Sequence, residues 1–214
     1  MFVFPRWLNL LRPGLVLGVV GGPIYALALT YYALWPRTTT VGYQPEQPVP
    51  YSHALHAGEM GIDCRYCHNT VDRTAAAGVP PTDTCMNCHE LVRRESEKLI
   101  PVFESHATGM PVPWQRIHDL PDFAYFDHSA HVSRGVGCGS CHGRVDKMAT
   151  VYHEELLSMG WCLRCHRHPE QHLRPLETVT QLDWAPSEDQ LQMGRRIADA
   201  RDINPSTDCS TCHR

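Results

Sequence analysis

Basic charge is what this chain most lacks: 19 Lys and Arg against 23 Asp and Glu give a formal net charge of −4, with no electrostatic footprint for nucleic acid. Charged residues are only 20% of the chain and hydrophobic ones 43%, a composition far from that of a disordered tail. At 214 residues it suits one or two small domains and is too short for a large enzyme core. Strand-like alternation is scarce and there are 17 prolines, which predicts short helices and long loops. Against these shortages stand 10 cysteines and 14 histidines, and no cysteine lies outside a C-x-x-C pair.

Residues 14–35 form the one long run without a formal charge, enough at about 1.5 Å per residue to cross a hydrocarbon core of about 30 Å. Arg6 and Arg12 precede it, and after Arg37 no Lys or Arg occurs before Arg65, so the first dozen residues are expected in the cytoplasm and the rest outside. A cleaved signal peptide is the competing reading, because Ala26, Leu27 and Ala28 offer a small-x-small site; a retained signal anchor is the expectation. No cysteine near the end of the run would take a lipid anchor. Gly14, Gly18, Gly22, Ala26 and Thr30 draw a stripe of small side chains suited to packing against other membrane helices, and Pro23 is the expected kink.

The cysteine pairs are Cys64/Cys67, Cys85/Cys88, Cys138/Cys141, Cys162/Cys165 and Cys209/Cys212, followed at once by His68, His89, His142, His166 and His213. Five such coincidences by chance would be on the order of one in a million, so this is C-x-x-C-H used five times. Two thiols add to the two vinyl groups of one porphyrin, and the adjacent imidazole lies under the iron as its proximal ligand. The 17-residue gap between the first and second pairs and the 20-residue gap between the third and fourth also fit zinc ribbons. Zinc has no need of a histidine after every pair and leaves the fifth pair alone, so five covalent haem c groups and no zinc are expected.

The chain also repeats itself. Tyr51-x-His53-x-x-His56 precedes the first motif and Phe126-x-His128-x-x-His131 precedes the third, with an offset of 74 or 75 residues, and the second and fourth motifs are offset by 77. Histidines three apart on a helical turn share a face. One imidazole cannot serve two irons, so His53 and His56 are expected as distal ligands of two neighbouring haems, and His128 and His131 likewise, giving low-spin bis-histidine irons. For the fifth distal position His118 and Met159 lead, followed by His106, Met110, His153, His168 and His172.

These readings divide the chain into a cytoplasmic tail (1–13), a transmembrane helix (14–36), a Pro- and Thr-rich linker (37–50), a first dihaem module (51–107), a connector (108–125), a second dihaem module (126–172) and a fifth-haem segment (173–214). Residues 91–105 are a polar-faced helix candidate, and residues 187–190 a capping-box start for a helix running to about Asp202. The expected fold is mainly α and irregular, one membrane helix plus a haem-packed domain. Roughly 36 extramembrane residues per haem cannot insulate each macrocycle, so the porphyrins must lie close together and supply much of the core.

Residues 51–56, Gly61 to His68, Ala77 to Thr82 with Cys85 to His89, Val112 to Trp114, His118 to His128, and Met159 to Cys162 together resemble the pentahaem cytochrome subunit of bacterial alternative complex III, over residues 48–214. They are also similar to the wider cytochrome c7-like group, in which paired histidines ligate different haems. The resemblance implies a quinol:electron-acceptor oxidoreductase. The partners it implies are an iron–sulfur subunit with a molybdopterin-enzyme-like body, polytopic quinol-binding subunits, a monohaem cytochrome, and a soluble cytochrome c or blue copper acceptor.

The expected protein is thus an electron-transfer subunit of the cytoplasmic membrane, its haem domain outside the cytoplasm, that breaks no substrate bond by itself. A nitrite-reductase-like haem enzyme needs an open iron, often with lysine in place of the motif histidine, whereas all five motifs here end in His. A small stand-alone membrane quinol dehydrogenase is the alternative. Ten haem propionates would make the domain more acidic than its sequence, favouring basic partners at the electron exit.

Overall fold

The computed structural model describes residues 5–35 and 40–213. Residues 1–4, 36–39 and 214, which include the start of the expected tail and linker with Arg37, lie outside the described residues. Two compact units result, Met1–Val41 and Gly42–Arg214.

In the first unit, α1 (Leu8–Val16) runs through a π-helical turn (Leu17–Gly21) into α2 (Gly22–Leu34). Together they make one 27-residue helix long and apolar enough to cross a membrane, with none of its apolar window buried. The irregularity expected at Pro23 takes the form of the π turn just before it. Proline has no N–H to give the carbonyl one turn back, and a widened turn accommodates that loss. The π turn takes up one of the eight residues from Gly14 to Gly22, leaving about seven residues of rotation, close to two full turns. Gly14 and Gly22 therefore stay near one face.

No β-strand occurs among the described residues of the second unit, only the isolated antiparallel bridges Ala124 with His213 and Val136 with Leu173. A π-helical turn (Ala54–Glu59) follows His53, and then come α3 (Cys64–Cys67), α4 (Thr82–His89), α5 (Ile100–Thr108), α6 (His128–Val132), α7 (Gly139–His142), α8 (Met159–Arg167), α9 (Gln190–Ala200) and α10 (Cys209–Cys212). Each C-x-x-C-H motif thus forms one short helix or ends one, which turns both cysteines and the histidine to a common side.

The helix expected over residues 91–105 starts only at Ile100. Arg93 takes a left-handed φ of 56°, and Pro101 fits the first turn of a helix but not its interior. The helix expected after residue 187 starts at Gln190, because Asp189 supplies the cap, its carboxylate accepting from Gln192 N at 2.9 Å. The described part of the expected linker is tied to the second unit from Gly42 onward. Gly42 N donates to His153 O and Gln44 Nε2 to Thr150 O, both at 2.7 Å, while Gln47 makes two 3.0 Å bonds with the backbone of Gln115.

The side-chain core is sparse. The buried hydrophobic residues are Val49, Val71, Val102, Val132, Met148, Leu173, Val179 and Met193, of which Val71, Val132 and Val179 form one cluster with Ala77 against it.

The two histidine turns are docked reciprocally. The turn bearing His53 and His56 packs on the 3₁₀ turn Val145–Lys147 that follows the third motif, with Ala54 N donating to Met148 O at 3.0 Å. Helix α6, bearing His128 and His131, packs on the loop after the first motif, where His128 N donates to Ala75 O and Ser129 N to Thr74 O. Gly58 makes the first of these contacts possible: a Cβ there would lie 2.2 Å from Asp146 O. Gly58→Ala is therefore expected to destabilise the domain by about 1–3 kcal/mol through overpacking. Gly160→Ala, with nothing within 4 Å of the added carbon, is expected to be close to neutral. Thermal unfolding of the two haem-loaded variants checks the difference.

Candidate haem-binding sites

A histidine that binds a metal through Nε2 carries its proton on Nδ1 and gives it to a fixed acceptor. Seven of the imidazoles singled out above have Nδ1 on a backbone carbonyl. His68 donates to Gly78 O at 2.8 Å, His89 to Val92 O at 3.0 Å, His166 to Ser206 O at 2.7 Å and His213 to Phe123 O at 3.0 Å. His56 donates to Ser52 O at 2.8 Å, His128 to Ala75 O at 2.7 Å and His131 to Asp127 O at 2.6 Å. A carbonyl can only accept, so in all seven Nδ1 carries a proton and Nε2 is the nitrogen left for a metal.

The rings are also spaced for a shared metal. With metal–nitrogen bonds of about 2 Å, two imidazoles on opposite sides of one metal have their ring centres about 6.3 Å apart. The centroid separations are 6.2 Å for His56 and His89, 6.3 Å for His128 and His142, and 6.1 Å for His131 and His166. Burial, and after it the charges of His68 and His56, push His53 down to about 4, and its buried Nδ1 has no hydrogen-bond partner among the described residues. The turn of the second module therefore faces both motif histidines of that module, and the turn of the first module brings His56 to the second motif's histidine.

Both turns are clamped by the aromatic residue that opens them. The Tyr51 ring stacks on His56 at 4.4 Å and meets His53 edge-on at 4.8 Å, and Phe126 stacks on His131 at 4.5 Å and meets His128 edge-on at 4.8 Å. The reproduction of this geometry 75 residues apart makes the aromatic part of the site. The α6 turn is further held by Asp127, whose carboxylate accepts from Ser129 N at 2.8 Å.

The candidates for the fifth distal position are dispersed. His118 stands against His142, 4.4 Å away and edge-on, and stacks on His153 at 4.9 Å; burial pushes it down to about 4 and its Nε2 has no hydrogen-bond partner among the described residues. Met159 is exposed at the start of α8. His106 bonds Asp83, His168 lies 3.6 Å from Glu170, and Met110 is exposed. His172 lies 6.5 Å from Trp161.

Two arginines went unnoticed as site residues because nothing in their sequence neighbourhood marks them. Buried Arg174 Nε and Arg201 Nη1 have no acceptor among the described residues, and buried guanidinium N–H groups need one. Both lie against the segment leading into the third motif, Arg174 at Gly137 and Arg201 at Gly135. A carboxylate-bearing group such as haem fits them, as the paired imidazoles and the sparse core fit its iron and macrocycle.

A strand-free domain of this kind, with C-x-x-C-H turns facing histidine-bearing turns, defines a multihaem cytochrome c. Residues 124–214 match the family described as cytochrome c7 and related cytochrome c. The chain is 30% identical over 163 residues to the menaquinone reductase multiheme cytochrome c subunit of Nitratidesulfovibrio vulgaris, covering 66% of this chain and 77% of that protein. The chain belongs to this family of multihaem cytochromes c, and it carries multiple c-type haems and transfers electrons.

Aromatic contacts of this kind contribute about 0.5–1.5 kcal/mol each. Phe126→Leu is expected to retain every covalent haem while loosening His128 and His131, changing the low-spin electron paramagnetic resonance signals of two irons. Unchanged signals would mean that the ring only fills space.

Proposed function

We propose that the chain is a membrane-anchored pentahaem cytochrome c, the electron-transfer subunit of a quinone-linked oxidoreductase complex resembling alternative complex III. Haem c, when bound, supplies an iron that exchanges one electron at a time. The ten cysteines hold the five groups. His68, His89, His142, His166 and His213 are the proximal ligands, and His53, His56, His128 and His131 the distal ligands at the first, second, third and fourth sites. The observation that carries this assignment is the ring-centre separation of 6.1–6.3 Å in three imidazole pairs whose Nδ1 protons, where a hydrogen bond fixes them, go to backbone carbonyls. The chain's own work is to orient these rings, keep their Nε2 lone pairs free and crowd the five groups together.

The long apolar N-terminal helix fits a membrane anchor as it fits a signal sequence, and a retained anchor with the haem domain outside the cytoplasm is proposed on the charge asymmetry around it. Its partners are proposed to be an iron–sulfur subunit with a molybdopterin-like body, polytopic quinol-binding subunits, a monohaem cytochrome, and a soluble cytochrome c or blue copper acceptor. Electrons are proposed to run from quinol toward that acceptor. The opposite direction is a second reading, favoured by the likeness to a menaquinone reductase subunit. Detergent-extracted complex distinguishes them. Rapid haem reduction on adding quinol, relayed to the soluble carrier, supports quinol oxidation, whereas haem oxidation by added menaquinone after reduction by the carrier supports the second reading. A chain that purifies without other subunits and oxidises quinol alone supports the stand-alone dehydrogenase. On a denaturing gel the chain is expected to stain for haem and to carry the added mass of five.

The contact with His142 supports His118 as a positioning group for that proximal imidazole, and Met159 is proposed as the ligand of the fifth iron. His118→Ala is then expected to alter the third site's signal and keep the fifth low-spin, and Met159→Leu to change the ligation of the fifth alone. Redox-titrated spectra of the two variants check this, and a fifth iron changed by His118→Ala reverses the roles.

A further inference from the structure

We propose that the five attachment motifs stand in space in the order second, first, third, fourth, fifth, an unbranched row whose ends are the second and fifth motifs. The inference rests on the reading of these motifs as haem sites, and each link in the row is either a direct contact between two motifs or a contact of both with one shared segment.

The first and second motifs are joined through their intervening residues, Asn87 Nδ2 donating to the Tyr66 hydroxyl at 3.1 Å. The first and third hang on two consecutive residues of one loop: Cys138 N donates to Val179 O at 2.9 Å, and Cys64 Sγ lies 3.8 Å from Thr180 O. The third and fourth are bridged by α6, whose His128 and His131 face His142 and His166. The fourth and fifth meet at Ser206, whose carbonyl accepts from His166 Nδ1 at 2.7 Å while its hydroxyl bonds Thr211, inside the fifth motif, at 2.9 Å. Tyr125 N, donating to Cys212 O at 2.7 Å, and Phe123 O, accepting from His213, tie that motif to the segment leading into α6.

Exposure agrees independently. Cys88 and Cys209 are the two exposed cysteines, one in each end motif, and the other eight are part-buried. The row is therefore not the order of the sequence: the reciprocal docking of the two modules puts the first and third motifs side by side at the middle, and the second is displaced to an end. A redox partner has its shortest approach at the exposed second and fifth motifs, one for entry and one for exit.

The test is to locate the irons of the haem-loaded protein in its complex, by anomalous scattering or in a density map with the motifs traced. The expected result is that the iron above His68 has those of His89 and His142 as its nearest neighbours, and that the iron of His213 neighbours only that of His166. An iron of His89 closer to that of His142 than to that of His68, or an iron of His213 adjoining any but that of His166, overturns the order. An iron count below five counts instead against the five-haem reading, so the two failures are told apart.

Discussion

An imidazole that holds metal through Nε2 needs its other nitrogen protonated and pinned, and seven histidines of this chain meet that need with backbone carbonyls. In regular sheet the carbonyls are committed to the ladder, so a fold that needs so many available ones is pushed toward loops and first turns. Gly78, Ala75, Val92, Phe123 and Ser206 all offer theirs from irregular backbone. Ser52 and Asp127 sit just before a helical turn, and their carbonyls take the imidazole four residues on. Irregularity is thus what the ligand set demands.

The same constraint explains why two modules interlock. A turn carrying two histidines must be held rigidly from behind, yet a module of this size has few apolar side chains with which to do so. Each turn borrows its support from the loop after the other module's first motif, through Met148 O and Asp146 on one side and Ala75 O and Thr74 O on the other. Val71, Val132 and Val179 close the seam as the buried cluster, with one valine from the first module, one from α6 and one from the loop that touches both Cys64 and Cys138. Mutations across this seam are not expected to be additive, because they share a backbone contact.

The site was legible in sequence wherever chemistry fixes a spacing. Two thioether bonds and an adjacent ligand impose C-x-x-C-H, and the proposed two-iron turns would use histidines three apart, so local strings point to both. The role of Tyr51 and Phe126 was half legible, as an aromatic at a fixed offset without a stated contact. What escaped was non-local. Nothing in the string ties Arg174 or Arg201 to the third motif, or Gly58 to Asp146, because those approaches arise only once the modules have exchanged partners. Residues 91–105 misled for a local reason, since helix propensity there yields to the left-handed Arg93 and to Pro101. Gln44 and Gln47 turned a composition that reads as linker into docked chain through side-chain amides, which composition cannot foresee.

Burial completes the preparation of the central sites. Desolvation, the first cause in each case, pushes His142 down to about 3 and His53 to about 4, so these imidazoles are neutral across the physiological range. Metal ligation needs the neutral ring, and a ring that is already neutral and already oriented gives up no proton when it is ligated. The depth of His142 follows from its place: the third motif is flanked by His118 and His153 on one side and His128 on the other, and His68 also contributes to holding its charge off. A middle site shielded in this way is reached by electrons only through its neighbours, whereas the exposed cysteines at the second and fifth motifs leave those sites open to exchange with partners. In the proposed row, the exposed Cys88 and Cys209 thus assign contact with partners to the ends and conduction to the centre.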